Sequence, residues 1–516
     1  MEILKNKLIY FFKVHKQQIL FYLFLNVLFV LCITLSSYVH IPLSGYKDRL
    51  LYFTHIILNQ FSVTGFIYLV TVNKWGFRLI FMPCFIILSL FSYWTYIQDI
   101  SVTNSLIQIV LETKPSIVMG LLSFQYLLFI FFIVVILIII NKVYNKISPI
   151  KWNLPFILLA FLSIYSYSYI ENKRINTLKS RLPYNVVFGL KKYFETEKLV
   201  LNKVPTQVTY NQDSINIVLV LGESVRADHL QINGYNRKNM PFLTNRSNLV
   251  SFNNIYTPHT YTASSLPRII TDASVNDSEI NNVTSVFDVL NACNYYTAWI
   301  GNQELESSYE RIVRTNRKVV LIDSLRSVLS FNKALDEETL QPLKKLNFKN
   351  HKKGLYTIHM MGSHWWYENR YTQQFRKYTP VIDSKHVPSL SKNQMINSYD
   401  NTIVYLDNFL NEVISIQESL NNASIMIYIS DHGEALGEEG KWLHAQEVES
   451  IKNPAMLVWY SNKFKEKYPL KVKALINNCE RNYSTDILYY SLLDIIGAKN
   501  AEFKPLESVF FDSFSD

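Results

Sequence analysis

Cysteine is scarce in this chain: its 516 residues include four, Cys32, Cys84, Cys293 and Cys479. Cys32 and Cys84 fall in apolar segments. Cys293 and Cys479 are far apart and lack metal-like spacing, which excludes a zinc ribbon or a CxxC redox motif. A Cys293–Cys479 disulfide stays open, but nothing requires it, so the scarcity says little about redox compartment. No internal repeat and no low-complexity tract is present. Basic residues outnumber acidic ones, 51 to 41, yet they do not gather into a soluble patch interleaved with aromatics, which argues against nucleic acid as a partner. Many flank apolar segments or fall between about 172 and 204, as suits a surface of anionic lipid. The apolar segments carry no charge at mid-membrane depth, which argues against a transporter.

What the chain has in excess is apolar and aromatic residues, the aromatics reaching 14%. The excess lies before residue 171. Five stretches, near 17–39, 50–72, 76–97, 118–140 and 153–171, come close to the ~20 residues that cross a bilayer. The second contains His55, Asn59 and Gln60, which should face other helices. The first is too long for a signal peptide and lacks a small-residue cleavage site. Lys5, Lys7, Lys13 and Lys16 precede the first stretch, Lys74 and Arg78 follow the second, and Lys142, Lys146 and Lys151 follow the fourth. The positive-inside rule makes these cytoplasmic. An odd number of spans then places the remainder on the outer face. The expected division is a five-span domain over 1–171, interfacial or bridging helices over 172–204, and a soluble domain over 205–516.

The soluble part alternates strand-like runs (215–221, 295–300, 318–322, 354–360, 423–430 and 455–460) with helix-like runs (225–232, 284–292, 393–418 and 484–496). This alternation predicts an α/β domain with a mainly parallel central sheet. Tyr399, Ile403, Leu406, Phe409, Leu410 and Val413 form one apolar stripe at helical spacing, the mark of a core-packing helix.

Two of the strands end in metal-competent side chains. The run Ile215–Leu221 delivers Gly222-Glu223-Ser224, and Ala423–Ser430 delivers Asp431-His432-Gly433-Glu434. Ligands of α/β sheets bind beyond the carboxyl ends of parallel strands, so these pieces suggest one assembled site. Asp, Glu and His are ligands for zinc or manganese. A hydroxyl-rich run, Thr257 to Pro267, precedes a helix. A hydroxyl there could become a nucleophile through metal coordination, with backbone N–H groups beside it for a phosphate. His364, after a strand, and His444 could bind phosphoryl oxygens or move protons. This chemistry is phosphoryl or sulfuryl transfer through a covalent intermediate. Ser224 and Thr260 compete with Thr262 for the nucleophile's role, although Arg226 breaks the Gly-x-Ser-x-Gly pattern of a hydrolase elbow.

Gly222-Glu223-Ser224-x-Arg226, Asn233-Gly234-Tyr235-x-Arg237, Thr262-Ala263-x-Ser265-x-Pro267, Gly362-x-His364, Tyr399-Asp400-Asn401 and Ser430-Asp431-His432-Gly433-Glu434, with Leu443-His444, together resemble the membrane-anchored phosphoethanolamine transferases of the alkaline phosphatase/sulfatase superfamily. The resemblance spans the soluble domain and agrees with five preceding spans. It implies that Thr262 is the nucleophile and that Glu223, Thr262, Asp431 and His432 hold zinc. It implies that His364 and His444 line the phosphoethanolamine or second-metal site and act in catalysis. The donor would be phosphatidylethanolamine and the acceptor a lipopolysaccharide core sugar, lipid A or another surface glycan. The enzyme would be a monomer in a bacterial inner membrane, its catalytic domain in the periplasm.

The chain departs from that pattern in places. Pro258 and Arg268 stand where cysteines often bracket the nucleophile. Of an Asn/Thr/Glu donor-lipid pattern, Ile109, Thr113 and Ile117 keep only Thr113. Trp299-Ile300-Gly301-Asn302-Gln303 resembles the branch acting on core sugars. Alternatives are a phosphoglycerol or other phospholipid-headgroup transferase and a non-catalytic membrane lipid sensor. Sulfatase activity fits poorly, because Ser265-Leu266-Pro267-Arg268 sets the arginine one place early for formylglycine formation. Glu434 and Glu438 read as solvated glutamates of a turn.

Overall fold

The structure is a computed structural model, and it describes residues 10–11, 13–39, 46–98, 102, 104–112, 122–147, 153–172, 178–179, 181–195, 199–204, 208–211, 213–303, 305–322, 335–349, 353–498 and 507–511. Thr113 and Ile117 lie outside them. The chain divides into an N-terminal unit (Met1–Gln108 and Leu122–Glu195) and a second unit (Ile109–Leu121 and Thr196–Asp516).

Among the described residues of the N-terminal unit, four segments are long and apolar enough to cross a membrane: Lys16–Ser37, Tyr52–Thr71, Lys74–Ile97 and Phe124–Lys146. The expected fifth span is represented among the described residues by a shorter apolar helix, Leu154–Tyr169. The helix it belongs to, Leu154–Asn172, packs closely on Tyr46–Thr71. A Cβ on Gly65 would lie 2.4 Å from the Ala160 carbonyl oxygen, and the Gly65 N–H donates to Ser163 Oγ at 2.8 Å. Polar side chains in the second span turn inward, as expected. Gln60 Nε2 donates to Asn26 Oδ1 at 2.6 Å, and Asn59 Nδ2 donates to the Leu182 carbonyl at 3.1 Å.

The second unit is built on a seven-stranded sheet. Its strands are β1 (Asn216–Gly222), β2 (Leu249–Phe252), β3 (Tyr296–Gly301), β4 (Lys318–Leu321), β5 (Gly354–His359), β6 (Ser424–Ser430) and β7 (Met456–Tyr460). They lie in the order β2-β7-β6-β1-β5-β3-β4. β6, β1, β5, β3 and β4 run parallel, and β7 runs antiparallel to both β6 and β2. The sheet is therefore mixed, with a parallel majority and an antiparallel edge. β1, β5 and β6 are buried along their whole length, as strands covered on both faces must be, and this explains the unbroken run of Ile, Val and Leu in β1.

One apolar layer, including Ile217, Leu219, Trp299 and Ile429, covers one face of the sheet. The other, including Val218, Val220, Ile358 and Met426, packs against the helix Lys392–Ser419. That helix starts at a capping box in which Ser391 Oγ accepts the Gln394 N–H and Gln394 Oε1 accepts the Ser391 N–H. Such a box satisfies two backbone donors that a helix start otherwise leaves open. All six residues of the expected stripe are buried. The helix expected at 225–232 is instead two short 3-10 turns, Ala227–His229 and Gln231–Asn233. Side chains take over the backbone groups there: Asn233 Nδ2 donates to the Ala227 carbonyl, and Asn239 Oδ1 accepts the Gln231 N–H. Cys293 and Cys479 are both free thiols.

Candidate active site

β1 lies between β6 and β5 in the sheet, so the segments that follow three adjacent parallel strands converge at one end. Glu223 follows β1, Asp431 and His432 follow β6, and His364 follows β5. Gly222 makes the approach of β1 and β6 possible: a Cβ there would lie 2.2 Å from the Tyr428 hydroxyl. Thr262 is the first residue of the helix Thr262–Ile269. That helix is tied to the β6 end by Ser265 Oγ, which donates to the Asp431 carbonyl at 2.5 Å.

Ligand atoms of Glu223, Asp431 and His432 lie within 4.8 Å of one another, and all three residues are buried. Thr262 joins them, its hydroxyl donating to Glu223 Oε2 at 2.8 Å. The four residues implied as a zinc set are thus brought together. Asp431 Oδ2 and His432 Nε2 have no hydrogen-bond partner, which is costly for buried polar atoms unless something else satisfies them. His432 Nε2 is 3.4 Å from Glu223 Oε1 and 3.3 Å from Asp431 Oδ2. Two carboxylates, a hydroxyl and an imidazole nitrogen with unmet valence form a donor set that fits a divalent cation.

The three imidazoles share one tautomer logic. His432 Nδ1 lies 2.8 Å from the Gly433 carbonyl, and His364 Nδ1 lies 2.6 Å from the Trp365 carbonyl. A carbonyl only accepts, so each Nδ1 carries the proton and each Nε2 is left bare. His444 Nδ1 faces Glu434 Oε2 at 3.3 Å, which again directs Nε2 elsewhere. Partners of this kind fix ring orientation at metal and phosphate sites. The ring centroids of His364 and His432 each lie 5.1 Å from that of His444.

The charges are set apart by environment. Burial raises the Glu223 carboxyl, but His432, His364 and His444 together hold it below the ordinary range. Burial, then the Glu223 charge, drives the Asp431 carboxyl upward. Burial brings His364 down to about 3, against the pull of Glu223. Burial opposes the charge on His444 too, but its bond to Glu434 wins and raises it to about 9. His364 is neutral and His444 protonated at pH 7.

Glu434, expected in solvent, is fully buried. Its Oε1 accepts the Tyr367 hydroxyl at 2.7 Å, while Oε2 faces His444. The sequence held no local sign of this, since Tyr367 is far away along the chain. Glu438 is tied down as well, accepting from Arg226 Nη1 at 2.7 Å. Arg226 also binds Asp228 and donates to the Glu434 carbonyl, so it fastens the β1 and β6 ends together. Ser224 Oγ donates to Glu223 Oε1 at 2.9 Å, and its backbone has φ 61°, a left-handed conformation uncommon for serine. Tyr399 secures this turn, its hydroxyl donating to the Ser224 carbonyl at 2.8 Å and accepting the Arg226 N–H at 3.0 Å. Trp365 and Tyr367 are buried in the core.

The sulfatase family model matches residues 215–498, more than half of the chain. The chain belongs to the sulfatase family. Phosphoethanolamine transferase EptA of Escherichia coli K12 is 24% identical over 506 residues, covering 91% of each chain. The integral membrane lipooligosaccharide phosphoethanolamine transferase A from Neisseria meningitidis shares the fold, with a TM-score of 0.82 at 23% identity, covering 95% of this chain and 97% of that one. The C-terminal periplasmic domain of E. coli EptC, solved in complex with Zn, aligns with a TM-score of 0.54 at 24% identity over 61% of this chain and 92% of its own.

Proposed function

We propose that this sulfatase-family protein is a zinc-dependent phosphoethanolamine transferase. It would take the group from phosphatidylethanolamine and pass it to a lipopolysaccharide acceptor, a core sugar or lipid A, through phosphoethanolamine-Thr262. The observation that carries this reading is the Thr262 hydroxyl at 2.8 Å from Glu223, beside the unmet atoms of Asp431 and His432. Full-length similarity to phosphoethanolamine transferases supports the choice of group.

Glu223, Thr262, Asp431 and His432 would hold the zinc. The bound ion supplies a lowered hydroxyl pKa and positive charge for the phosphoryl oxygens. Thr262 Oγ1, at the helix start, attacks phosphorus as its proton passes to Glu223 Oε2. The Oγ–P bond forms and the P–O bond to diacylglycerol breaks. His444, charged and held through Nδ1 by Glu434, donates its Nε2 proton to the departing diacylglycerol oxygen. In the second half the acceptor hydroxyl attacks phosphorus, and Thr262 leaves as it regains the proton held on Glu223 Oε2. His364, neutral with Nε2 bare, takes the acceptor's proton and passes it to His444, whose ring lies 5.1 Å away, so both imidazoles return to their starting states. Thr113 is retained as a proposed donor-lipid contact on the resemblance alone.

The proposed organisation is a membrane domain over 1–171, bridging helices over 172–204 and a periplasmic catalytic domain over 205–516 in a bacterial inner membrane. An outward catalytic domain needs an odd number of crossings after a cytoplasmic start. Leu154–Asn172 supplies the fifth: at 19 residues it spans roughly 28 Å, close to the ~30 Å of a hydrocarbon core.

The test is diacylglycerol release by the purified full chain from phosphatidylethanolamine and, separately, from phosphatidylglycerol. Release from phosphatidylethanolamine alone is expected. Release from phosphatidylglycerol alone would make the protein a phosphoglycerol transferase, and release from neither would favour the lipid sensor.

A further inference from the structure

The segment after β3 carries two amides that reach different parts of the site. Gly301 lets it turn tightly, since a Cβ there would sit 2.9 Å from Trp299 Nε1 and 3.2 Å from the Gln303 carbonyl. The turn is anchored on both sides: the Asn302 N–H donates to the His359 carbonyl at 2.8 Å, and the Ile322 N–H donates to the Gly301 carbonyl at 2.9 Å. Gln303 is thereby directed back under the sheet end, where it is 4% exposed. Its Nε2 donates to the Met360 carbonyl at 2.7 Å and to Glu223 Oε2 at 3.3 Å. The neighbouring Asn302 donates through Nδ2 to Asp336 Oδ1 at 2.8 Å. Asp336, 2% exposed, accepts the Met361 N–H at 2.8 Å and the Gly362 N–H at 2.9 Å. Those amides belong to the turn that presents His364, and the Ser363 N–H of the same turn donates to the Glu223 carbonyl at 3.0 Å.

We propose that Asn302 and Gln303 form a two-pronged clasp, with Gln303 the positioning residue for the Glu223 carboxylate and Asn302, through Asp336, setting the His364 turn. The inference rests on the metal reading of Glu223 given above. Both protons of the Gln303 amide are used, one on a rigid strand-end carbonyl and one on Glu223, so the amide fixes the carboxylate plane relative to β5. An amide does this without adding charge. A lysine in its place would neutralise Glu223 and compete with a cation. Glutamine leaves the full negative charge available while ordering Oε2 and turning Oε1 towards His432. Outer partners of this kind are worth 10–100-fold in metal affinity. Asp336 complements this on the other side of the clasp, where three donors converge on one buried carboxylate and lock the backbone from which His364 projects.

The zinc dissociation constant of the detergent-solubilised full chain, measured by competition with a chromophoric chelator, tests this without relying on turnover. Gln303→Leu removes both donors, and Gln303→Glu keeps shape but faces Glu223 with an acceptor. Gln303→Leu is expected to weaken zinc by about 10- to 100-fold, and Gln303→Glu by at least as much. Circular dichroism of both variants in chelator should match wild type. If only the leucine variant loses native dichroism, the isosteric glutamate variant carries the test. Wild-type zinc affinity in a folded variant would overturn the clasp alone. A wild-type protein that binds no zinc would overturn the metal reading and the clasp with it.

Discussion

Glu434 and His444 form an ion pair, Oε2 to Nδ1 at 3.3 Å, in which the carboxylate is wholly shielded from solvent and the imidazole is half-buried. The segment that carries His444 is held in an unusual shape. Leu443 has φ 68° and Ala445 φ 60°, and the Ala445 N–H is tied to the Thr260 carbonyl at 2.8 Å. Left-handed conformations on both sides of one residue cost free energy and persist only where surrounding contacts enforce them. Here they bring the imidazole beside the start of the helix Thr262–Ile269.

Glu434→Gln should therefore change the pH dependence of transfer more than its substrate affinity. The wild-type imidazole stays protonated up to about pH 9 because of Glu434. Without that charge, burial dominates and the proton is lost at lower pH. The alkaline limb of the kcat profile for diacylglycerol release should move down by more than one pH unit, and kcat at pH 8 should fall by about 10- to 100-fold. An unchanged alkaline limb would remove His444 as the proton donor.

His259 predicts a stability effect at acid pH. Its Nε2 lies 2.9 Å from the Val275 carbonyl, so Nε2 is protonated and Nδ1 accepts from Ser264 Oγ at 2.8 Å. Burial, helped by Arg268, lowers its pKa from 6.5 to about 4. A folded-state pKa below the unfolded one means that the neutral ring favours the fold fully above pH 6.5. That contribution is lost as pH falls from 6.5 towards 4, by roughly 3 kcal/mol. His259→Gln should flatten the denaturation midpoint across this window. A variant that follows the wild-type slope would assign the acid sensitivity to other groups.

Gly222→Ala tests the close approach of β1 and β6. The added methyl would meet the Tyr428 hydroxyl at 2.2 Å and its ring at 2.6 Å, and overpacking of this kind costs about 1–3 kcal/mol. Tyr428→Phe in the same protein should recover part of the loss by removing the nearest atom. A fully stable Gly222→Ala protein would show that the two strand ends can separate without penalty.

These features differ in how far local sequence reports them. Glu223 and Asp431-His432 were legible because each follows a run of buried, mainly apolar residues, and an abrupt change from apolar to ligating side chains marks a strand end. Thr262 needed the resemblance, since Thr260 and Ser224 offered the same hydroxyl chemistry. Glu434 was misread because its burial depends on Tyr367 and His444, which only the fold brings to it. β2 was missed because Leu249–Phe252 is short and mostly half-buried, without the alternation that marks a strand. The 225–232 segment has helical spacing, yet Asn233 and Asn239 capture its backbone groups.

The proposed mechanism puts the transferred group on Thr262. Peptide mass analysis after incubating the zinc-loaded full chain with phosphatidylethanolamine, in the absence of acceptor, tests it most directly. One phosphoethanolamine on the peptide containing Thr262, with equimolar diacylglycerol and no adduct in Thr262→Ala, is the predicted result. An adduct on Ser224, or diacylglycerol release that persists in Thr262→Ala, would contradict it.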